Sequence, residues 1–502
     1  MQKRVLILVV SFCTLIGFGQ VSQSLSGTVF VDVNQNNYKD TDEVGLFNVL
    51  ISNGKDVVKT DAKGHYKIAK IEGNTVFVIK PESYMFRLNK QKTVQFFVPF
   101  DTIQTVKTYD FALYPHQENK PTKSVLLGDT QVDVIDDVHH VGKLVTEELM
   151  DKEIDFIVPL GDLSFDNVSI FDPLSQTLGL IGVPIFYTIG NHDLNFTEKA
   201  FMDRDKSFEA IFGPSYYAFE YGKQLHIVLN NIYPLETKGY EGRLDAMQLT
   251  FLRNLIALEK EKFESVTVYM HIPLEEMKDK EELITLVKPF ENVFVAAGHT
   301  HTQYHNYFER NNQKPIHQLV AGAVCGSWWQ GPHDIDQIPF ALMYDGTPKG
   351  YWELIFDHQQ YDFKYKVSGA AHDKQMNITV PNTKEWDKSL NIFNDNFIYA
   401  NVFAADETTQ VDIRFDNGKW MAMRKYEDVA PEIQKLYHLQ SLGKFSNESM
   451  AKFPKPTTIS HHLWRIEKPV DLLPGAHSVR IKASANKINL DVHGNAVLWI
   501  DK

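Results

Sequence analysis

Five apolar runs near the middle of the chain each end in side chains able to bind a metal ion. Residues 124–127 lead into Gly128, Asp129, Thr130 and Gln131. Residues 155–160 lead into Gly161 and Asp162, and residues 184–189 into Gly190, Asn191, His192 and Asp193. Residues 266–270 end at His271, and residues 293–297 run into Gly298, His299, Thr300 and His301. Carboxylate, amide oxygen and imidazole together suit Mn, Fe or Zn better than Ca or Mg.

Such groups work together only if the chain brings them to one place. Between them lie longer stretches of helical period, residues 137–150 and 246–259, so strands alternate with helices in βαβ fashion. Ligands of an open α/β sheet gather beyond the carboxyl ends of its strands, where all five clusters would then lie. Residues 24–113 read instead as short β runs between turn residues, followed by a polar linker at 114–123 with two prolines. Beyond residue 350 the β pattern returns and continues to residue 502. The expected architecture is multidomain, a central α/β domain over 122–345 flanked by an N-terminal β sandwich and a C-terminal all-β domain over 350–502.

The order D-x-Q, GD, GNH, H, GHxH resembles the motif series of the calcineurin-like metallophosphoesterases, over roughly residues 122–320, and the three-part layout is similar to that of their secreted bacterial members. One element departs from the family, since Gln131 stands where His is usual. The resemblance implies an αββα sandwich with Asp129, Gln131, Asp162 and His301 on a first metal and Asp162, Asn191, His271 and His299 on a second. Two divalent transition ions roughly 3.5–4 Å apart bind phosphate oxygens, turn a bridging water into hydroxide and stabilise an in-line displacement. His192 has no metal to bind in that scheme and is expected to protonate the leaving group, oriented by Asp193; the alternative is a histidine that merely supports the ligands. No tyrosine follows Asp162 in Gly161-Asp162-Leu163-Ser164-Phe165, which argues against a purple acid phosphatase.

Other signals are separate. Trp328 and Trp329 belong either to a substrate loop or to aromatic packing between domains. Residues 212–219 and 225–230 read as core strands, and His139, His140, His305, His317 and His333 as surface or loop residues. In the N-terminal module Asp32, Asn34, Asn36, Tyr38, Asp40 and Glu43 take positions 1, 3, 5, 7, 9 and 12 of an EF-hand-type loop, Tyr38 through its carbonyl. Asn37 replaces the usual glycine. The surrounding residues resemble the calcium-binding B-type repeats of bacterial surface adhesins, and a structural calcium is expected; the alternative is a solvated Asx-rich turn.

With 43% hydrophobic residues the 502-residue chain can bury several cores. Its net charge of −13 disfavours general nucleic-acid binding. Lys3, Arg4 and the apolar run 5–18 have the form of a signal peptide, with cleavage near Gln20. That places the mature chain outside the cytoplasm, periplasmic or extracellular, with no transmembrane segment and Cys325 as its one thiol. The expected function is hydrolysis of a phosphomonoester or phosphodiester, derived by preference from the cell envelope. A rival is an adhesin-like envelope protein that has kept a phosphoesterase fold.

Overall fold

The computed structural model describes residues 23–89, 93–118, 120–357, 360–381, 396–445 and 455–501. The expected signal segment and Cys13 lie outside them. Among the described residues no helix is long and apolar enough to cross a membrane.

The centre of the molecule is a sandwich of two sheets. One has six strands in the order Tyr217–Tyr221, Gln224–Val228, Ser265–Tyr269, Asn292–Ala297, Gln313–Ala321, Gln303–Arg310. The inner strands Ser265–Tyr269 and Asn292–Ala297 are buried at every residue, which explains why they read as continuous apolar runs rather than alternations. Helix Ala246–Glu259 spans the residues assigned to it by periodicity; Asp245 caps it by accepting the Gln248 N–H at 2.7 Å. On the other side, helix Ile135–Val141 passes through a π turn at Gly142–Thr146 into Glu147–Leu149. With helix Phe171–Gly179 it covers a second core that includes Val138, Val145, Leu174 and Leu178.

The second sheet corrects the expected boundary at residue 350. Its order is Gln360–Val367, Gly350–Asp357, Thr122–Leu127, Phe156–Pro159, so residues 350–367 complete the central sandwich and do not begin the C-terminal domain. Trp352 pairs with Leu126 and Phe356 with Thr122, antiparallel. Without these strands Thr122–Leu127 would present an unpaired, apolar edge.

The N-terminal module has two small sheets, around Ser24–Val31 and Leu50–Ser52. It docks on the sandwich through buried Lys80, whose ammonium reaches Glu118 at 2.8 Å and the carbonyl of Glu220 at 2.8 Å. The C-terminal part carries two four-stranded sheets, the longer ending in the hairpin Gly475–Ala485 and Leu490–Ile500. Within this strand-rich part packs helix Pro431–Ser441, started by a proline in its first turn.

Candidate metal centre

The five motif-bearing segments end side by side. Leu127 is level with Pro159, Leu160 with Thr188, Tyr269 with Ala296 and Ala297 with Val320, all in parallel pairing. Glycine lets the loops beyond them close in. A Cβ on Gly190 would sit 2.0 Å from the Asp162 backbone nitrogen, and one on Gly298 would sit 2.5 Å from Asp129 Oδ1. Left-handed backbone at Gln131 (φ 44°), Asp162 (47°), His299 (77°) and His301 (52°) turns the donors inward, a strain characteristic of functional sites.

His271 Nε2 lies 3.2 Å from Asp162 Oδ2, 3.1 Å from Asn191 Oδ1 and 3.2 Å from His299 Nδ1. Ligand atoms of Asp162, His271 and His299 all fall within 4.8 Å of one another. Nearby, His301 Nε2 is 3.2 Å from Asp129 Oδ2, a buried carboxylate oxygen that accepts no hydrogen bond among the described residues. The other imidazole nitrogens fix which atom points inward: His271 Nδ1 donates to Leu160 O at 2.8 Å and His301 Nδ1 to Gly326 O at 2.5 Å. Both rings therefore offer Nε2 to the centre.

Charge in the site follows from this crowding. Burial opposes a proton on His271, but Asp162 and Asp129 outweigh it and raise its pKa to about 9. Burial and then the neighbouring His271 push His299 down to about 4. Carboxylates and imidazole nitrogens crowded this closely suit a cation, which would take the place of the proton that His271 otherwise holds among them, and the donor set fits a transition ion.

Gln131 is buried at the edge of this group. Its Oε1 faces the thiol of Cys325 at 3.6 Å, and that sulfur also lies 3.8 Å from His301 Nδ1. The isolated thiol thus adjoins the site, which its position in the sequence did not suggest.

His192 sits at the rim, its backbone N–H donating to Asp162 Oδ1 at 2.8 Å. The carboxylate that meets its ring is Asp166, 2.9 Å from Nδ1, and not Asp193 as expected. Both oxygens of Asp193 are taken by the backbone N–H groups of Leu163, Ser164 and Gly190, at 3.1, 2.8 and 2.9 Å. Asp193 ties two motif loops together; burial and then the charge of Asp162 push its carboxyl up to about 7. Asp166 escaped the sequence reading, its signal being a second carboxylate four residues beyond Asp162.

The tryptophan pair divides. Trp328, 41% exposed, donates its indole N–H to His301 Nε2 at 3.2 Å and lies 5.8 Å from the Phe165 ring, which stacks on His192. Trp329 is buried, bonded to Thr130 O at 3.0 Å, and packs inside the domain. His305 and His317 are likewise corrected: they lie on paired strands, ring to ring at 2.8 Å, and are not loop residues.

In the N-terminal loop the six expected residues also gather, with Asn37 at φ 66°. Asp32 accepts the N–H groups of Asn36 and Asn37 at 3.0 and 2.9 Å. Glu43 accepts those of Val33 and Asp40 at 2.9 and 3.0 Å. Asn34 and Asn36 accept the N–H groups of Asn36 and Tyr38 and donate to Asp40 Oδ2.

Three family models match in sequence. The N terminal of calcineurin-like phosphoesterase covers residues 33–116, calcineurin-like phosphoesterase covers 122–303, and the C terminal of calcineurin-like phosphoesterase covers 318–488. No curated protein matches the chain. The three models follow one another along the chain, and the central one spans the motif loops from Asp129 to His301; the chain belongs to the calcineurin-like phosphoesterases and is a metal-dependent phosphoesterase hydrolase.

Proposed function

We propose that the chain is an exported phosphoesterase acting on a phosphomonoester or phosphodiester of the cell envelope. The observation that carries the active-site reading is the opposition of donors: Asp129 Oδ2, which accepts no hydrogen bond among the described residues, beside His301 Nε2, and Asp162, His271 and His299 within 4.8 Å. Asp129, Asp162 and His301, with Gln131 at the edge, would hold one ion; Asp162, Asn191, His271 and His299 would hold the other. Two ions of Mn, Fe or Zn supply Lewis acidity toward the ester and activate water.

The chain's own part begins with His192. Asp166 holds the proton on Nδ1, so Nε2 is the atom that delivers a proton to the departing oxygen. Phe165, stacked on His192 at 4.8 Å, fixes the plane of the ring. The backbone N–H to Asp162 keeps the imidazole beside the ions, and Trp328 walls the opposite side with an apolar face. Export rests on the basic and apolar residues 3–18, and the envelope substrate on export. A structural calcium in the loop Asp32 to Glu43 belongs to the same reading.

The test is an assay of the chain with p-nitrophenyl phosphate and its bis ester, after chelation and after return of Mn, Fe(II) or Zn. Metal-restored turnover supports the reading. An inert chain with full metal content would overturn it.

A further inference from the structure

The ligand loop at the end of strand Asn292–Ala297 leans on a part of the chain far away in sequence. His299 and His301 both have left-handed backbone, and such strain persists only where the surroundings over-determine it. Tyr344 N–H donates to His301 O at 2.9 Å. The next residue, wholly buried Asp345, accepts the N–H of Gln303 at 2.7 Å through Oδ2 and that of Thr347 at 2.9 Å through Oδ1. Oδ2 has another partner, His462 Nε2 at 3.1 Å, and His462 is wholly buried as well. Two further bonds run the same way, from Asn401 Nδ2 to Asp345 O at 3.0 Å and from Gln303 Nε2 to Phe403 O at 2.7 Å. His462, Asn401 and Phe403 all belong to the C-terminal part.

We propose that His462, acting through Asp345, is a positioning residue for the metal ligand His301, so that the C-terminal part completes the first cation site without supplying a ligand to it. The inference rests on the metal-centre reading above. A buried carboxylate is stable only when its acceptor sites are filled. Asp345 can hold the Gln303 N–H in place because the His462 N–H fixes the same oxygen from the other side. Take away that donor and residues 301–303 lose the clamp that aims His301 Nε2 at Asp129. The second site, built from Asn191, His271 and His299 with Asp162, has no bond to this pair among the described residues and should not notice. Loss of partners behind a metal ligand costs about 10- to 100-fold in metal affinity.

The experiment compares His462→Phe with His462→Gln in the full chain, by zinc titration and by metal content after dialysis, with a melting curve to show that each is folded. The glutamine amide can restore a donor where Nε2 stood. Expected by titration are two zinc sites in the wild type and in His462→Gln, the first the looser; in His462→Phe that looser site loses a further factor of about 10 to 100 in affinity, the other is unchanged, and dialysis leaves the variant no more than one ion. Wild-type affinity at both sites in His462→Phe would reduce the contact to packing between domains and overturn the proposal. Should that variant not fold, Asp345→Asn replaces it, with the same one-site loss expected and unchanged binding equally fatal. A wild-type chain that takes up no zinc defeats the metal-centre reading itself, a result distinct from intact binding in the variant.

Discussion

Two regions of this molecule carry metal-ligand spacing in the sequence, and they differ in what their donors do. In the central site the donors face one another: a carboxylate oxygen of Asp129 has no hydrogen-bond partner among the described residues, and His271 and His299 meet nitrogen to nitrogen at 3.2 Å. In the N-terminal loop the oxygens of Asp32, Asn34, Asn36 and Glu43 accept backbone N–H groups of the loop itself. Twelve consecutive residues can satisfy their own side chains by turning; donors delivered from five separate segments of the chain cannot. Ligand spacing within one loop is therefore compatible with a plain turn, whereas convergence over 170 residues, from His299 back to Asp129, needs a ligand to explain it.

The comparison breaks first at Asp162. Asp162→Ala should abolish turnover and release metal, because the only carboxylate shared by both proposed ions is gone. Metal analysis of the folded variant is the check; two retained ions with near-normal turnover would mean that the centre is held otherwise. Next is His192→Ala, expected to lower kcat by about 10² to 10⁴ for esters with poor leaving groups and less for aryl esters. Asp166→Asn should follow the same pattern more weakly, whereas Asp193→Asn should act on both ester types alike and lower the melting temperature, since Asp193 braces loops. Equal losses across leaving groups for His192→Ala would make that histidine structural.

The centre was legible in the sequence for a physical reason: each donor cluster follows a buried apolar run, in four of the five cases through a glycine, and both are visible as patterns. What was not legible depended on partners distant along the chain. Residues 350–357 fall where the β pattern returns, but no local pattern says that they pair with residues 122–126. Asp193 was chosen to orient His192 because it is adjacent, yet three backbone N–H groups claim its carboxylate and leave the ring to Asp166. His305 and His317 read as surface or loop residues because no ligand spacing includes them; the antiparallel pairing that brings the two rings together is a tertiary fact.

Within the centre the two ions should be unequal, a smaller effect. Gln131 offers at most a neutral amide oxygen, and in this structure that oxygen faces the Cys325 thiol. The site with only His301 as nitrogen ligand should bind Zn more loosely than the one with two imidazoles, and should accept Mn or Fe(II) more readily. Gln131→His should tighten Zn retention after dialysis toward two ions per chain. Equal retention by wild type and variant would show that residue 131 does not limit the site.

The smallest expected effect is calcium in the N-terminal loop, and it tests the other half of the comparison. The loop is held by its own bonds, with Asn37 left-handed and Asp32 and Glu43 buried against backbone N–H groups. Calcium therefore has little folding left to do there. It would instead bind the remaining lone pairs of Asp32, Asn34, Asn36 and Asp40 together with the carbonyl of Tyr38. Such loops in extracellular modules bind at about 10⁻⁴ to 10⁻³ M. A ligand held only by the folded state slows exchange through local opening by a factor of one plus the free ligand concentration divided by Kd. Millimolar calcium should accordingly slow deuterium exchange in residues 34–43 of the full chain by about tenfold and leave the central loops untouched, since ten times the dissociation constant adds about that factor. Asp32→Ala should abolish the effect. Exchange that is the same in calcium and in chelator would make the loop a self-satisfied turn, and would sharpen the contrast with the centre to its limit: of two ligand patterns in one chain, only the one whose donors come from separate strands would bind a metal.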